Sequence, residues 1–148
     1  MTVFSRVLVA IDGHPEGQRA LDHAIALAAT LDAELRAVVV EGRLPAYGAT
    51  VGEVEATKRK KDEFFGTVAR LAQEQAAEAG LDLAVELAAG APAAAILRAA
   101  ERDRDDLIVV GFHRRLLGST ADSLCHRAPC PVLVVRGDRP SPTLEEVS

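Results

Sequence analysis

Aromatic side chains are scarce, with no tryptophan, one tyrosine and four phenylalanines in 148 residues. The formal net charge is -5, and basic residues do not interleave with the few aromatics. A general nucleic-acid binder needs a basic surface against phosphate and stacking rings against bases, so that class is excluded. Cysteine is also rare. Cys125 and Cys130 stand five apart, which fits neither a C-x-x-C redox pair nor zinc-ligand spacing, and both are read as small packing residues. Apolar runs stop at strand length, so no membrane span is expected. The opening Met1-Thr2-Val3-Phe4-Ser5-Arg6 lacks the pattern of a secretory signal, and the expected location is the cytoplasm. No P-loop lysine pattern, nucleophile elbow or metal-binding helix motif occurs, so no enzyme is expected.

What is present is an ordinary globular composition, 49% hydrophobic and 26% charged. One domain is expected over residues 1–136, followed by a polar, proline-containing tail, 137–148, expected to be disordered. The run Arg6 to Asp12 is continuously apolar before its acid, as in a central strand of a parallel sheet, where both faces are buried. Residues Glu16 to Thr30 then place Ala20, Leu21, Ala24, Ile25 and Ala28 at helical spacing. Ala33 to Val40 reads as a second strand, and the glycine-containing segment Glu41 to Thr50 as a loop able to act as a lid.

A long helix is expected from Gly52 to Ala79, its apolar face made by Val54, Phe64, Phe65, Val68, Leu71, Ala72 and Ala76. Its Lys58-Arg59-Lys60-Lys61 run reads as a solvated face. The partly alternating Leu81 to Ala88 should be a strand nearer an edge; a helix follows Gly90-Ala91-Pro92, then a strand ending at Val110, a helix from Ser119 to Arg127, and a last strand, Val132 to Val135. Five strands alternating with helices make an α/β, doubly wound five-stranded parallel sheet. In such sheets ligands bind beyond the strand C-termini, where strand order reverses.

The stretch Val109 to Asp122 contains the chemistry. A buried run breaks at Gly111, crosses the basic loop His113-Arg114-Arg115, and restarts as a helix behind Gly118, Ser119 and Thr120. A helix start offers unpaired N–H groups and the positive dipole end, which suits an anion. If the first and fourth strands are neighbours at the reversal, Asp12, His14, Gly111, His113, Gly118, Ser119 and Thr120 converge on one crevice. Asp12 has two open roles, fixing the turn into the next helix or touching a ligand. His14 and His113 could both face that crevice, but no third metal ligand is evident.

These residues resemble the universal stress protein family. The resemblance rests on Val7-Leu8-Val9-Ala10-Ile11-Asp12-Gly13, on Gly90-Ala91-Pro92, on Asp106-Leu107-Ile108-Val109-Val110-Gly111, and on Gly118-Ser119-Thr120-Ala121-Asp122 running on to Val135. It implies a Rossmann-like sheet in order 3-2-1-4-5, a homodimer through the fifth strand, protein partners of unknown identity and, in the ATP-binding branch, ATP or AMP in the crevice. It also implies that slow ATP hydrolysis involving Asp12 and His113 is the most activity to expect.

That branch is marked by Gly-x2-Gly-x9-Gly-[Ser/Thr]. Here Gly111 matches the first glycine and Gly118-Ser119 the last pair, but Arg114 replaces the middle glycine and the outer glycines lie seven positions apart instead of thirteen. The shorter loop removes backbone N–H groups that would surround phosphate. Arg114 and Arg115 could replace them, since guanidinium pairs well with phosphate, or the loop could close the crevice. The residues expected at a nucleotide are Ala10, Asp12, Val39, Val40, Gly111, His113, Arg114, Gly118, Ser119 and Thr120.

Overall fold

The computed structural model describes residues 3–41, 51–112 and 118–137. The order is β1 (Arg6–Ile11), α1 (Pro15–Leu31), β2 (Glu34–Glu41), α2 (Val51–Glu78), β3 (Leu83–Ala89), α3 (Pro92–Asp103), β4 (Leu107–Gly111), α4 (Gly118–Arg127) and β5 (Val132–Val135). The strands form one sheet in the order β3-β2-β1-β4-β5, and every pairing is parallel. The expected architecture is therefore present, with the chain crossing from β3 to β4 on the far side of β1. Of the segment expected as a lid, Glu41 to Thr50, Glu41 ends β2, while 42–50, the basic loop 113–117, and all of the expected tail after Gly137 lie outside the described residues.

Strand periodicity divides the core in two. Val7, Val9 and Ile11 of β1 face α1 and α2 together with Leu107 and Val109 of β4. Leu8 and Ala10 face the other way, packing with Ile108 and Val110 against Ile96 of α3 and Leu124 of α4. Both sets are buried because β1 and β4 are covered on both faces, which is why their sequences carry no alternation. β3 is at a sheet edge and shows partial alternation, as its sequence implies.

The α2 face differs from the expectation. Phe65, Ala72 and Ala76 are buried, but Phe64 and Leu71 are each 52% exposed. Phe64 and Leu71 each precede a buried residue by one position, about 100° around the helix. α2 packs over β2 and β3 through the Phe65 side, so Phe64 and Leu71 are turned toward α1, where the helices are not in full contact. Cys125 is likewise exposed instead of packed, while Cys130 is half-buried against the second core.

The opposite end of the sheet from the crevice is tied by charge. The Asp105 side chain is fully buried and pairs with Arg36 at 2.5 Å, and Arg36 also reaches Asp103 at 2.6 Å. Burial pushes the Asp105 carboxyl above its ordinary value while the Arg36 hydrogen bond and charge pull it down. Arg102 binds Glu86 at 2.5 Å and Asp103 at 2.6 Å. Asp106 accepts the Ser5 and Arg6 N–H groups at 2.8 and 3.0 Å, joining the start of β4 to the start of β1.

Hydrogen bonds from Arg102 hold the Glu86 and Asp103 carboxyls below their ordinary values of 4.5 and 3.8. Groups lowered by folding stabilise the fold above their unfolded values and lose that contribution as pH falls through the folded values. Chemical denaturation should therefore show Arg102→Ala less stable than wild type at pH 7, with the gap closing as the pH is taken below these carboxylate values. A gap independent of pH would mean that Arg102 acts through packing alone.

Candidate functional site

β1 ends at Ile11 and the chain turns at Gly13, whose φ of +85° is the left-handed conformation that glycine adopts without strain. The Asp12 carboxylate accepts the His14 N–H at 3.0 Å, an Asx turn, and His14 is the N-cap residue of α1. Asp12 thus shapes the entry to α1 without being its cap. Its carboxylate lies against the first turn of that helix: a Cβ on Gly17 would sit 2.8 Å from Asp12 Oδ1. One side chain therefore performs the turn-fixing role while standing at the edge of the crevice.

β4 reaches the same place because Gly111 has no side chain. A Cβ there would collide with the Glu16 carbonyl group, its carbon only 2.7 Å away. Beyond Gly111, Phe112 donates its N–H to the Val135 carbonyl at 2.8 Å, and the Arg136 guanidinium lies 5.0 Å from the Phe112 ring centroid. Such a cation stacked on a ring face keeps its N–H groups available at the ring's edge.

Ala10, Asp12, Val40, Gly111 and Thr120 line one crevice of about 60 Å³. Its position is the reversal in strand order between β1 and β4. Thr120, in the first turn of α4, is only 6% exposed. Gly118 and Ser119 form the backbone of that turn, whose N–H groups have no partner within the helix. Val39 is not part of the crevice lining. Its side chain is completely buried on the opposite face, toward α1 and α2, because successive strand residues alternate and Val40 takes the crevice side. His113, Arg114 and Arg115 lie outside the described residues.

Five further residues line the crevice, Ile11 and Val110 at the strand ends together with Gly17, Pro92 and Ile96, so the start of α3 closes the side opposite α1. The helical spacing of α3 turns Ile96 inward, but only the packing of α3 over β1 and β2 makes that inward position a crevice wall. Arg136 follows the last strand with no motif around it, and only the pairing of β4 with β5 puts it over Phe112. Among the described residues, no three His, Cys, Asp or Glu side chains gather closely enough to hold a metal ion.

A profile of the universal stress protein family matches residues 4–136. The chain belongs to the universal stress protein family. Universal stress protein MJ0531 of Methanocaldococcus jannaschii is 33% identical over 145 residues, an alignment covering 90% of this chain and 83% of that protein. The UspA structure from Lactobacillus plantarum superposes with a TM-score of 0.79 at 26% identity, over 90% of this chain and 98% of that one. A universal stress protein solved in complex with cAMP is 28% identical, with a TM-score of 0.68 over 90% of this chain and 97% of that one.

Packing requires the glycine at 111 in this family member but not the one at 66. Gly111→Ala forces a methyl group into backbone and should cost about 1–3 kcal/mol in urea denaturation. Gly66→Ala, at a helical position with nothing near the added carbon, should instead stabilise by about 0.5–1 kcal/mol. Equal effects at the two positions would show that the approach of β4 to α1 does not constrain residue 111.

Proposed function

We propose that this universal stress protein is an adenine-nucleotide-responsive regulator that binds ATP or AMP at the crevice between β1 and β4. The observation that supports the reading most is the convergence of Ala10, Asp12, Val40, Gly111 and Thr120 at the reversal of strand order, beside the first turn of α4. A family member 28% identical to this chain was solved with cAMP, an adenine nucleotide. In this reading Ala10 and Val40 face the base, Asp12 accepts hydrogen bonds from ribose, and the α4 N-terminus faces phosphate. Arg114 and Arg136 supply guanidinium groups to the phosphates in place of the N–H groups that the shorter loop omits.

The crevice volume sets a condition. About 60 Å³ is far below the roughly 300 Å³ at the small end of ligand sites. Nucleotide must therefore widen the crevice, and 42–50 and 113–117 are the segments that follow its strands. Contact of nucleotide with Gly42 to Gly52 and Phe112 to Leu117 changes the surface presented to partner proteins, and that change is the regulatory output. The protein acts by binding, in the cytoplasm, without turnover. It pairs as a homodimer through β5, whose outer edge has no strand partner among the described residues and whose Leu133 is 37% exposed.

The same volume favours a second reading, a stress-linked interaction protein whose crevice stays shut. Calorimetric titration with ATP, AMP and cAMP separates the two. The first reading expects a saturable heat for wild type and a loss of about tenfold in affinity in Asp12→Ala, the magnitude of one or two lost hydrogen bonds. No heat at high protein concentration, or an affinity unchanged in Asp12→Ala, supports the second.

A further inference from the structure

The face of the sheet away from the crevice carries a second and larger cavity. α1 and α2 are joined at one level, where the Gln18 amide donates to Gln75 at 2.6 Å and Gln75 donates in turn to Asp22. Toward the start of α1 the helices part, leaving a cleft of about 480 Å³ over the end of β1. That volume lies within the range of small-molecule sites, roughly 300–1,000 Å³. Its floor is made by Ile11 and Leu21, 4% and 2% exposed, and one wall by Phe64, Val68 and Leu71.

Three observations distinguish this cleft from an incidental gap. Phe64 and Leu71 are two of only five large apolar side chains left exposed among the described residues, and both line the same cavity. The Phe64 ring is fixed in place, edge-on to Phe65 at 5.1 Å and seated against Gly13, where a Cβ would lie 2.8 Å from it. Two polar side chains on the walls are already engaged: the Thr67 hydroxyl donates to the Glu63 carbonyl at 3.0 Å, and the Gln18 amide donates to Asp22 at 3.0 Å as well as to Gln75. A charged ligand gains little on such walls, and a hydrocarbon surface gains by leaving water.

The geometry points to a binding site for a small, uncharged, hydrocarbon-rich molecule between α1 and α2, separate from the nucleotide crevice and on the other face of the sheet. The ligand lies on Ile11 and Leu21, with Phe64 and Leu71 closing over it. Its recognition is by shape and apolar area, and nucleotide does not compete for the position.

N-phenyl-1-naphthylamine, an uncharged apolar fluorophore, is the probe. Titrated into the full chain, it should show saturable, blue-shifted emission at one site per chain that AMP does not displace. Leu71→Glu puts a charge on the rim, and Thr67→Trp fills the cleft with a ring; both positions are exposed, so neither change disturbs the core. Each should weaken the probe by about tenfold or more, because a hydrated charge at the rim or a filled cavity removes the apolar contact, while the thermal midpoint holds. Emission that does not saturate, or unchanged affinity in both variants, overturns the proposal. Probe binding that fades as protein concentration rises would also overturn it, by showing that a second copy of the chain occupies the cleft.

Discussion

The end of β4 and the first turn of α1 are in backbone contact, and the crevice exists because of that contact. The Glu16 carbonyl occupies the space that a side chain at residue 111 would need. Glycine at that position lets β4 pass close beneath α1, and that passage fixes the separation between Asp12 on one strand end and Val110 on the other. A second contact of the same kind works from the other side, where Gly17 leaves room for the Asp12 carboxylate. The carboxylate is therefore held from two directions, by the missing Cβ and by the His14 N–H. These constraints act before any ligand is present. Gly111 would be required of this packing whether or not phosphate ever approached it, so its match to a nucleotide motif is not independent evidence for a nucleotide.

Much of the fold was legible because hydrophobic patterning and topology agree. β1 and β4 read as central strands from unbroken apolar runs, and β3 as an edge strand from partial alternation, because burial on two faces or on one dictates those patterns. Residues whose place depends on alternation were legible only as pairs. Val39 and Val40 are chemically alike, and no feature of either side chain says which one faces α3; register does. Phe64 and Leu71 were misassigned for a related reason. Helical spacing identifies an apolar stripe, but a stripe wider than the contact surface leaves its margin uncovered, and the contact surface is set by how far α2 stands from α1.

The site was legible where one segment carries it and hidden where tertiary packing assembles it. Asp12, Gly111 and Thr120 follow directly from strand ends and a helix start. Ile96 and Arg136 enter from elements distant in sequence: α3 reaches the crevice by lying across β1 and β2, and Arg136 by the pairing of β5 with β4. The turn from Asp12 to His14 links two cavities that lie on opposite faces of the sheet. Asp12 borders the crevice, while Gly13 and His14 border the apolar cleft. A shift in this turn alters both, since the hydrogen bond that orients Asp12 is donated by the backbone of a cleft residue.

The small crevice gives that link an energetic role. When a binding-competent conformation is a minor one, apparent affinity is reduced by its fractional population, and each factor of ten corresponds to about 1.4 kcal/mol. In the nucleotide-binding reading proposed above, a crevice of about 60 Å³ has to widen before the ligand enters, and the free energy of widening is subtracted from affinity. In that reading, guanidinium groups at 114 and 136 favour phosphate once the crevice is open. On that reading, anything that stabilises the wider form raises nucleotide affinity without touching nucleotide. The elements able to do so are those that border the crevice from outside: the turn at Gly13, the first turn of α1, and the Phe112 and Arg136 stack at the end of β4. On that reading, control over the response is located in the packing around the crevice, and the residues lining it determine what is recognised.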